Sequence, residues 1–458
     1  MGSPRCKVGS PGSRMPLDPT AGASLMRASL LLATCLIAAL LAPSAGHAAA
    51  ADQGEQIFKK ALGYTVQIKS SVSIPFAGDS KGSSLGAGFV VDAARGWILT
   101  NAHVVSRSPS RVEVAFHERD FQDATKVWVD PYMDIAIVKV PEPAITASIE
   151  IPRLECKDIP PVGHPVGAFG HPWRLQFTGT RGIISGVTSR YRTELLQTDA
   201  PINQGNSGGP LISLEDGRIV GINTAGIRGA QNTNFAVAMK YACRIVDLLR
   251  AGADPSPPDL GLVFFRDIDN RKELRVARSY PRPGKLSFLA GDTIQEVIGE
   301  PGRIENETQL MHALRGRLEG SRIRVLRDGA PVELNGTKAA LPRVMDRRGV
   351  YASGVLFGPV TLRDAPEIGV RGLMVHHVEA GSIGEAQEVV RTDVLEAVDG
   401  TPVLELEDLH ARLGEAAKDR RRIELTLKRL VGGEYAFTYA QRRLFVRDLR
   451  LVGEAMHN

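Results

Sequence analysis

The run Gly205-Asn206-Ser207-Gly208-Gly209-Pro210 holds the residue types that a serine nucleophile needs. Glycines on either side let the backbone turn tightly, so the hydroxyl projects and neighbouring N–H groups converge on one point. That pattern supplies a nucleophile and an oxyanion hole together. It also satisfies Gly-x-Ser-x-Gly, the elbow that presents a nucleophile between a strand and a helix. The residues downstream decide against the elbow. Pro210 leads into Leu211-Ile212-Ser213, a turn at Glu215-Asp216-Gly217, and Arg218-Ile219-Val220-Gly221-Ile222, which reads as a β-hairpin.

A serine nucleophile needs a base, and the base needs an orienting acid. His103 stands in Leu99-Thr100-Asn101-Ala102-His103-Val104-Val105, at the end of an apolar strand where a turn presents the imidazole. His117, His164 and His171 sit in polar or proline-containing loops, where a solvated side chain is expected. Asp134, in Asp130-Pro131-Tyr132-Met133-Asp134-Ile135-Ala136-Ile137-Val138, opens an apolar strand. A half-buried carboxylate there can hold one tautomer of a histidine. His376, His377 and His410 have no Cys or carboxylate partners at ligand spacing, so no metal site is expected. No P-loop and no other cofactor motif occurs.

The elements that must position these groups are mostly strands. Thr65–Ile68, Gly88–Val91, Trp97–Thr100, Arg111–Phe116 and Ile135–Val138 are short β-rich runs separated by turns, the pattern of a barrel or sandwich. Met239, Cys243, Val246 and Leu249 recur at helical spacing, which predicts a closing helix over 239–250 and a buried thiol at Cys243. Ala253-Asp254-Pro255-Ser256-Pro257-Pro258 then reads as a linker, because its prolines cannot continue that helix. Beyond it the chain repeats. Asp292–Pro301 aligns with Asp393–Pro402 at an offset of 101 residues, and each copy is followed by an amphipathic helix and a strand. Two small α+β modules in tandem are expected.

With 458 residues the chain has room for two to four domains at roughly 100–200 residues each. Its 56 basic and 51 acidic residues leave a net charge of +5. Arg5, Lys7, Arg14 and Arg27 against Asp18 place most of that excess before residue 51. The one compact basic run, Arg420-Arg421-Arg422, reads as a solvated turn, so no nucleic-acid partner is expected. Arg27, the apolar stretch Leu30–Ala42 and the small residues Ala48–Ala51 describe a secretory signal. An uncleaved membrane anchor is the alternative. Cys156 and Cys243 remain in the mature chain, where spacing alone does not establish a pairing.

Taken together, Gly86-Ala87-Gly88-Phe89-Val90, the Thr100–Val105 segment, Asp134-Ile135-Ala136, Gln197-Thr198-Asp199-Ala200 and the Ser207 run resemble the HtrA/Deg family of chymotrypsin-fold serine proteases. The resemblance implies a mainly β fold: a double β-barrel protease domain over 51–252, after a leader and signal over 1–50. A linker follows at 253–258, then PDZ-like modules at 259–345 and 349–455. It implies His103, Asp134 and Ser207 as the catalytic triad, and the N–H groups of Gly205 and Ser207 as the oxyanion hole. It also implies an exported, periplasmic or cell-envelope, ATP-independent endopeptidase. The substrates would be unfolded or misfolded proteins, and the assembly a homotrimer or larger. The peptide-binding loops of the modules would lie at Gly261-Leu262 and Gly354-Val355, taking C-terminal peptides. Asn206 stands where digestive relatives have an Asp that pairs with a freed amino terminus, so activation by loop ordering is expected instead. Pro201, six residues before the serine, gives no anchor for Lys or Arg at the cleaved bond. A chaperone or peptide-binding scaffold with a silent protease domain is the second reading.

Overall fold

The computed structural model describes residues 45–141, 145, 149–171, 177–188, 194–226, 232–265, 272–280, 286–317, 320–336, 339–340, 343–360, 372–431 and 436–453. The apolar leader run lies outside them. No described helix is long and apolar enough to cross a membrane.

Twelve strands form two closed barrels of six. The first contains β1 (Thr65–Val72), β2 (Gly82–Asp92), β3 (Trp97–Thr100), β4 (Arg111–Ala115), β5 (Gln122–Asp130) and β6 (Ile135–Lys139), joined in the order β1-β2-β3-β6-β5-β4. The second contains β7 (Pro165–Gly170), β8 (Thr178–Thr188), β9 (Leu195–Thr198), β10 (Pro210–Ser213), β11 (Ile219–Gly226) and β12 (Asn234–Ala238), in the order β10-β11-β12-β9-β8-β7. The architecture is mainly β, and closure leaves neither barrel an open edge. Alternation explains the first barrel's inward face: Val66, Ile68, Ser70 and Val72 of β1 are buried while the residues between them are partly exposed. The expected hairpin after Ser207 is β10–β11.

The helix Met239–Arg250 forms where its spacing predicted, burying Met239, Tyr241, Ala242, Cys243, Ile245 and Val246. Cys243 is not a free thiol. It is disulfide-bonded to Cys156, with the Cα atoms 5.6 Å apart. The bond ties the helix to a segment that lies along β11, where the Glu155 N–H donates to the Ile219 carbonyl at 2.9 Å.

The expected linker is also packed. Pro255, Ser256, Pro257 and Pro258 are all buried, and Pro258-Asp259 pairs with Ala339-Ala340. After it comes a five-stranded sheet whose strands run Leu262–Phe264, Leu274–Ser279, Thr293–Val297, Ser321–Arg327 and Ala330–Gly336. A second, eight-stranded sheet is built from residues 349–452. The repeat detected in the sequence has an atomic basis. Arg327 grips Asp292 with both nitrogens at 2.8 Å, and Arg429 grips Asp393 at 2.7 and 2.8 Å. In each copy the same carboxylate also accepts a backbone N–H from three residues earlier, Leu289 or Val390. Both aspartates are buried and would be costly unpaired, which requires an arginine in each repeat.

Each sheet is joined to the barrels by polar contacts, most of them buried. Glu194 accepts hydrogen bonds from Tyr241, from Asn306 at 3.0 Å and from Gln309 at 2.8 Å. Its own N–H donates to the Thr308 hydroxyl at 2.9 Å. From the second sheet, the His376 ring accepts the Ala77 N–H at 3.1 Å and meets Phe76 edge-on, and Glu379 pairs with Lys81. Ile74, Phe76, Tyr351 and Leu356 form one apolar cluster there.

The disulfide closes a separation of 87 residues. Replacing both cysteines with serine is expected to lower unfolding stability by about 2–5 kcal/mol in urea titrations. Reductant should cause the same loss in the parent and none in the variant. An equal response of parent and variant to reductant would show that the bond is absent in solution.

Candidate active site

His103 is carried by a single helical turn, Ala102–Val105, that begins where β3 ends. Ala102, Val104 and Val105 are buried, so the turn is anchored on three sides and only the histidine projects. Its ring is 45% exposed, as a base that must reach a substrate requires. Asp134 closes the turn between β5 and β6 with φ at 55°, a left-handed conformation that few non-glycine residues adopt. Its place before an apolar run predicts a strand's first residue; it is the last residue of the turn before the strand. The turn is held by the Asp130 carboxylate, which accepts the N–H groups of Tyr132 at 2.8 Å and Met133 at 3.3 Å. Asn101 secures the far side, donating its side-chain N–H to the Asp134 carbonyl at 2.8 Å.

These supports bring the two side chains together. His103 Nδ1 lies 2.7 Å from Asp134 Oδ2, and the His103 backbone N–H donates to Oδ1 at 3.0 Å. A third hydrogen bond comes from the other barrel: the Thr224 hydroxyl donates to Oδ2 at 2.8 Å. Sequence reasoning missed Thr224. It sits at an irregularity in the β11–β12 register, between Asn223 and Ala225, that turns it out of the ladder. Burial acting alone would push the Asp134 carboxyl up, and the His103 charge and the three donors hold it below its ordinary value. For His103, burial pulls the ring down, but the charge and hydrogen bond of Asp134 outweigh it, so the imidazole titrates above its ordinary 6.5.

Ser207 stands on a turn stitched to both barrels. Its carbonyl accepts the Ala87 N–H of β2 at 2.8 Å, while the Gly208 N–H donates to Asn223 of β11 at 2.8 Å. The glycines are required by contact. A Cβ on Gly208, whose φ is 85°, would lie 2.1 Å from Thr100 Oγ1 and 2.2 Å from the Ala87 carbonyl. On Gly209 it would lie 2.1 Å from the Phe169 carbonyl. The Ser207 hydroxyl donates to the Thr224 carbonyl at 2.6 Å, and not to His103. Among the described residues the N–H groups of Gly205 and Ser207 donate no hydrogen bond, so both stay open to an oxygen. The Gly205 carbonyl is held away, accepting the His171 N–H at 3.2 Å. His171 is not the solvated loop residue expected: it is buried, and burial first, with a smaller contribution from His117, pushes its ring down to about 4. Asn206 is fully buried, and among the described residues its side-chain amide has no partner. It therefore forms no ion pair.

The two expected peptide loops differ. Gly261 and Leu262 lead into the strand Leu262–Phe264, the edge of the five-stranded sheet, which pairs only with Leu274–Ser279 among the described residues. Gly354 and Val355 lie at a two-residue hairpin turn joining the strands Gly349–Ala352 and Val355–Pro359. Ser353 and Gly354 have φ of 54° and 86°, and Val355 is fully buried. Val355–Pro359 is paired on both sides, by Gly349–Ala352 and by Leu373–Val378. A Cβ on Gly354 would lie 2.0 Å from the Ser382 Cβ. Among the described residues no three or more His, Cys, Asp or Glu side chains gather as a metal site would need.

Two six-stranded barrels, with a paired His103 and Asp134 on the first and a glycine-flanked Ser207 before a hairpin of the second, both bonded to Thr224, have the architecture of a trypsin-like serine endopeptidase. The sequence pattern of the trypsin-like peptidase domain matches residues 86–222. A probable periplasmic serine endoprotease, DegP-like, of Chlamydia pneumoniae is 28% identical over 374 residues, covering 74% of this chain and 72% of that protein. The periplasmic pH-dependent serine endoprotease DegQ of Escherichia coli is 29% identical over 313 residues, covering 63% and 65%. The crystal structure of the serine endoprotease from Yersinia pestis aligns at 26% identity over 63% of this chain and 98% of that one, with a TM-score of 0.47. The chain is thus similar, over 63% and 74% of its length, to serine endoproteases named as periplasmic DegQ and DegP-like.

A base that must be neutral to accept a proton, with its titration raised by Asp134, fixes the pH response. The acidic limb of kcat/KM is expected above pH 6.5. Asp134→Asn removes the raising partner and leaves burial unopposed, so the limb should move to lower pH while kcat falls about 10⁴-fold. A limb that stays in place in the variant would show that Asp134 does not set the histidine.

Proposed function

We propose that this chain hydrolyses peptide bonds of misfolded or exposed polypeptides through an acyl-enzyme, with Ser207 as nucleophile, His103 as general base and then acid, and Asp134 as the orienting carboxylate. The observation that carries the reading is the 2.7 Å contact of His103 and Asp134 beside a glycine-flanked serine whose turn leaves two N–H groups free. On attack, the Ser207 hydroxyl leaves its hydrogen bond to Thr224 and gives its proton to His103 Nε2. Asp134 stabilises the imidazolium, and the N–H groups of Gly205 and Ser207 receive the negative oxygen of the tetrahedral intermediate. Collapse expels the amine, which takes the proton from His103, and water then releases the acyl group by the same sequence in reverse.

In this reading residues 51–252 are the protease domain, 253–258 join it to the rest, and 259–345 and 349–455 are PDZ-like modules. The open edge at Leu262–Phe264 supports capture of a C-terminal peptide there as an added strand, with Gly261 and Leu262 at its carboxylate end. Nothing comparable supports capture at Gly354 and Val355, whose strand is already paired on both edges. Assembly into a trimer or larger belongs to the reading through the family likeness. A second reading, a peptide-binding scaffold whose protease rests, is favoured by one observation: the Ser207 hydroxyl is turned onto Thr224.

Degradation of casein by residues 51–458, compared with Ser207→Ala at equal concentration, separates the two. The parent is expected to cleave and the variant to lose about 10⁶-fold in rate. Equal cleavage by both would overturn the assignment of Ser207, and no cleavage by either would favour the scaffold.

A further inference from the structure

Asp130, the carboxylate that caps the turn before Asp134, has a second partner far along the chain. Its Oδ1 accepts the N–H groups of Tyr132 and Met133, and its Oδ2 takes the guanidinium of Arg315. Arg315 comes from the part of the chain after the barrels, immediately following the helix Glu307–Leu314. Both side chains are completely buried. The arginine is itself fixed at two more points. Its Nη1 donates to the Pro255 carbonyl at 2.5 Å, and its own carbonyl accepts Arg244 Nη2 at 2.9 Å. Arg244 belongs to the helix that closes the second barrel.

We propose that Arg315 is a positioning residue for the acid of the triad, acting through Asp130 on the turn that carries Asp134. This rests on the triad assigned above. Among the described residues Arg315 is the cation that pairs with Asp130, and without it the buried carboxylate is left with an uncompensated charge. It relieves that charge by admitting water or turning toward solvent, and either change weakens its grip on the Tyr132 and Met133 N–H groups. Those two bonds oppose the strain of a left-handed aspartate at 134. Once they loosen, Asp134 drifts relative to His103, and the base loses the partner that fixes its tautomer and raises its titration. The packing of residues 259–345 against the barrels and the geometry of the acid–base pair then form one equilibrium.

The test uses residues 51–458 and a short chromogenic peptide, which reaches the site without needing the modules. Arg315→Met is expected to lower kcat about 10- to 100-fold, the scale of an ångström-level misplacement. KM should change less than twofold, and the acidic limb of kcat/KM should move to lower pH. Asp130→Ala should do the same, and the double variant should be no worse than Asp130→Ala alone. Arg315→Lys keeps the charge and provides a folded variant if Met is not tolerated. It should show a smaller fall with the limb displaced in the same direction. Parent kcat and an unmoved limb in a folded Arg315 variant, or losses that simply add in the double variant, would overturn the inference. A rise in KM alone would do so too, since it would assign Arg315 to substrate binding. Failure of the triad itself would appear differently, as a parent whose cleavage survives Ser207→Ala.

Discussion

The carboxylate of Asp134 is the point on which the two barrels depend for a common chemistry. One of its oxygens takes the His103 backbone N–H, and the other takes the His103 ring and the Thr224 hydroxyl. In the proposed mechanism the first barrel thus supplies the acid and base, and the second supplies a donor that locks them. The Ser207 turn is held across the same boundary, by Ala87 from one barrel and Asn223 from the other. A shift of either barrel would disturb Asp134 and Ser207 together, so a rigid closed architecture is what the proposed reaction requires.

Much of this was legible in the residue order, because the chemistry permits few substitutes. Glycines around a serine, a histidine at a strand end and an aspartate at a turn announce themselves by type and by chain order. The strands and the helix at 239–250 followed from alternation and helical spacing. Other features depend on partners distant in sequence. Thr224 looks like any threonine in a strand until a register irregularity aims it at Asp134. The Cys156–Cys243 bond joins residues 87 apart, and helical spacing shows only that Cys243 is buried. Gly354 offered the same local pattern as Gly261. Pairing on both edges of its strand distinguishes them, and a strand's neighbours cannot be read from its own residues. Pro255–Pro258 has the composition of a tether, yet it is buried because the segments on either side pack together.

The two sheets after the barrels meet the protease at chemically distinct places. Arg315 reaches the cap of the acid turn. The second sheet meets the loop containing Phe76 and Ala77, and Asp79 in that loop accepts the N–H groups of Arg107 and Ser108, just beyond the His103 helical turn. The turns that carry Asp134 and His103 are therefore each backed by a different part of the chain after the barrels. His312 lies among Lys240, Arg244 and Arg315 beside Glu194. Burial and then those cations push it down to about 4, so it stays neutral where a further positive charge would repel its neighbours.

The proposed mechanism depends most directly on Ser207 being the activated serine. Labelling residues 51–458 with a fluorophosphonate, which bonds to a serine only when a neighbouring base activates it, and locating the adduct by peptide mass spectrometry would answer this. A single adduct on the peptide containing Ser207, abolished by His103→Ala, is the result predicted. An adduct on a different serine, or one on Ser207 that forms equally well without His103, would contradict it.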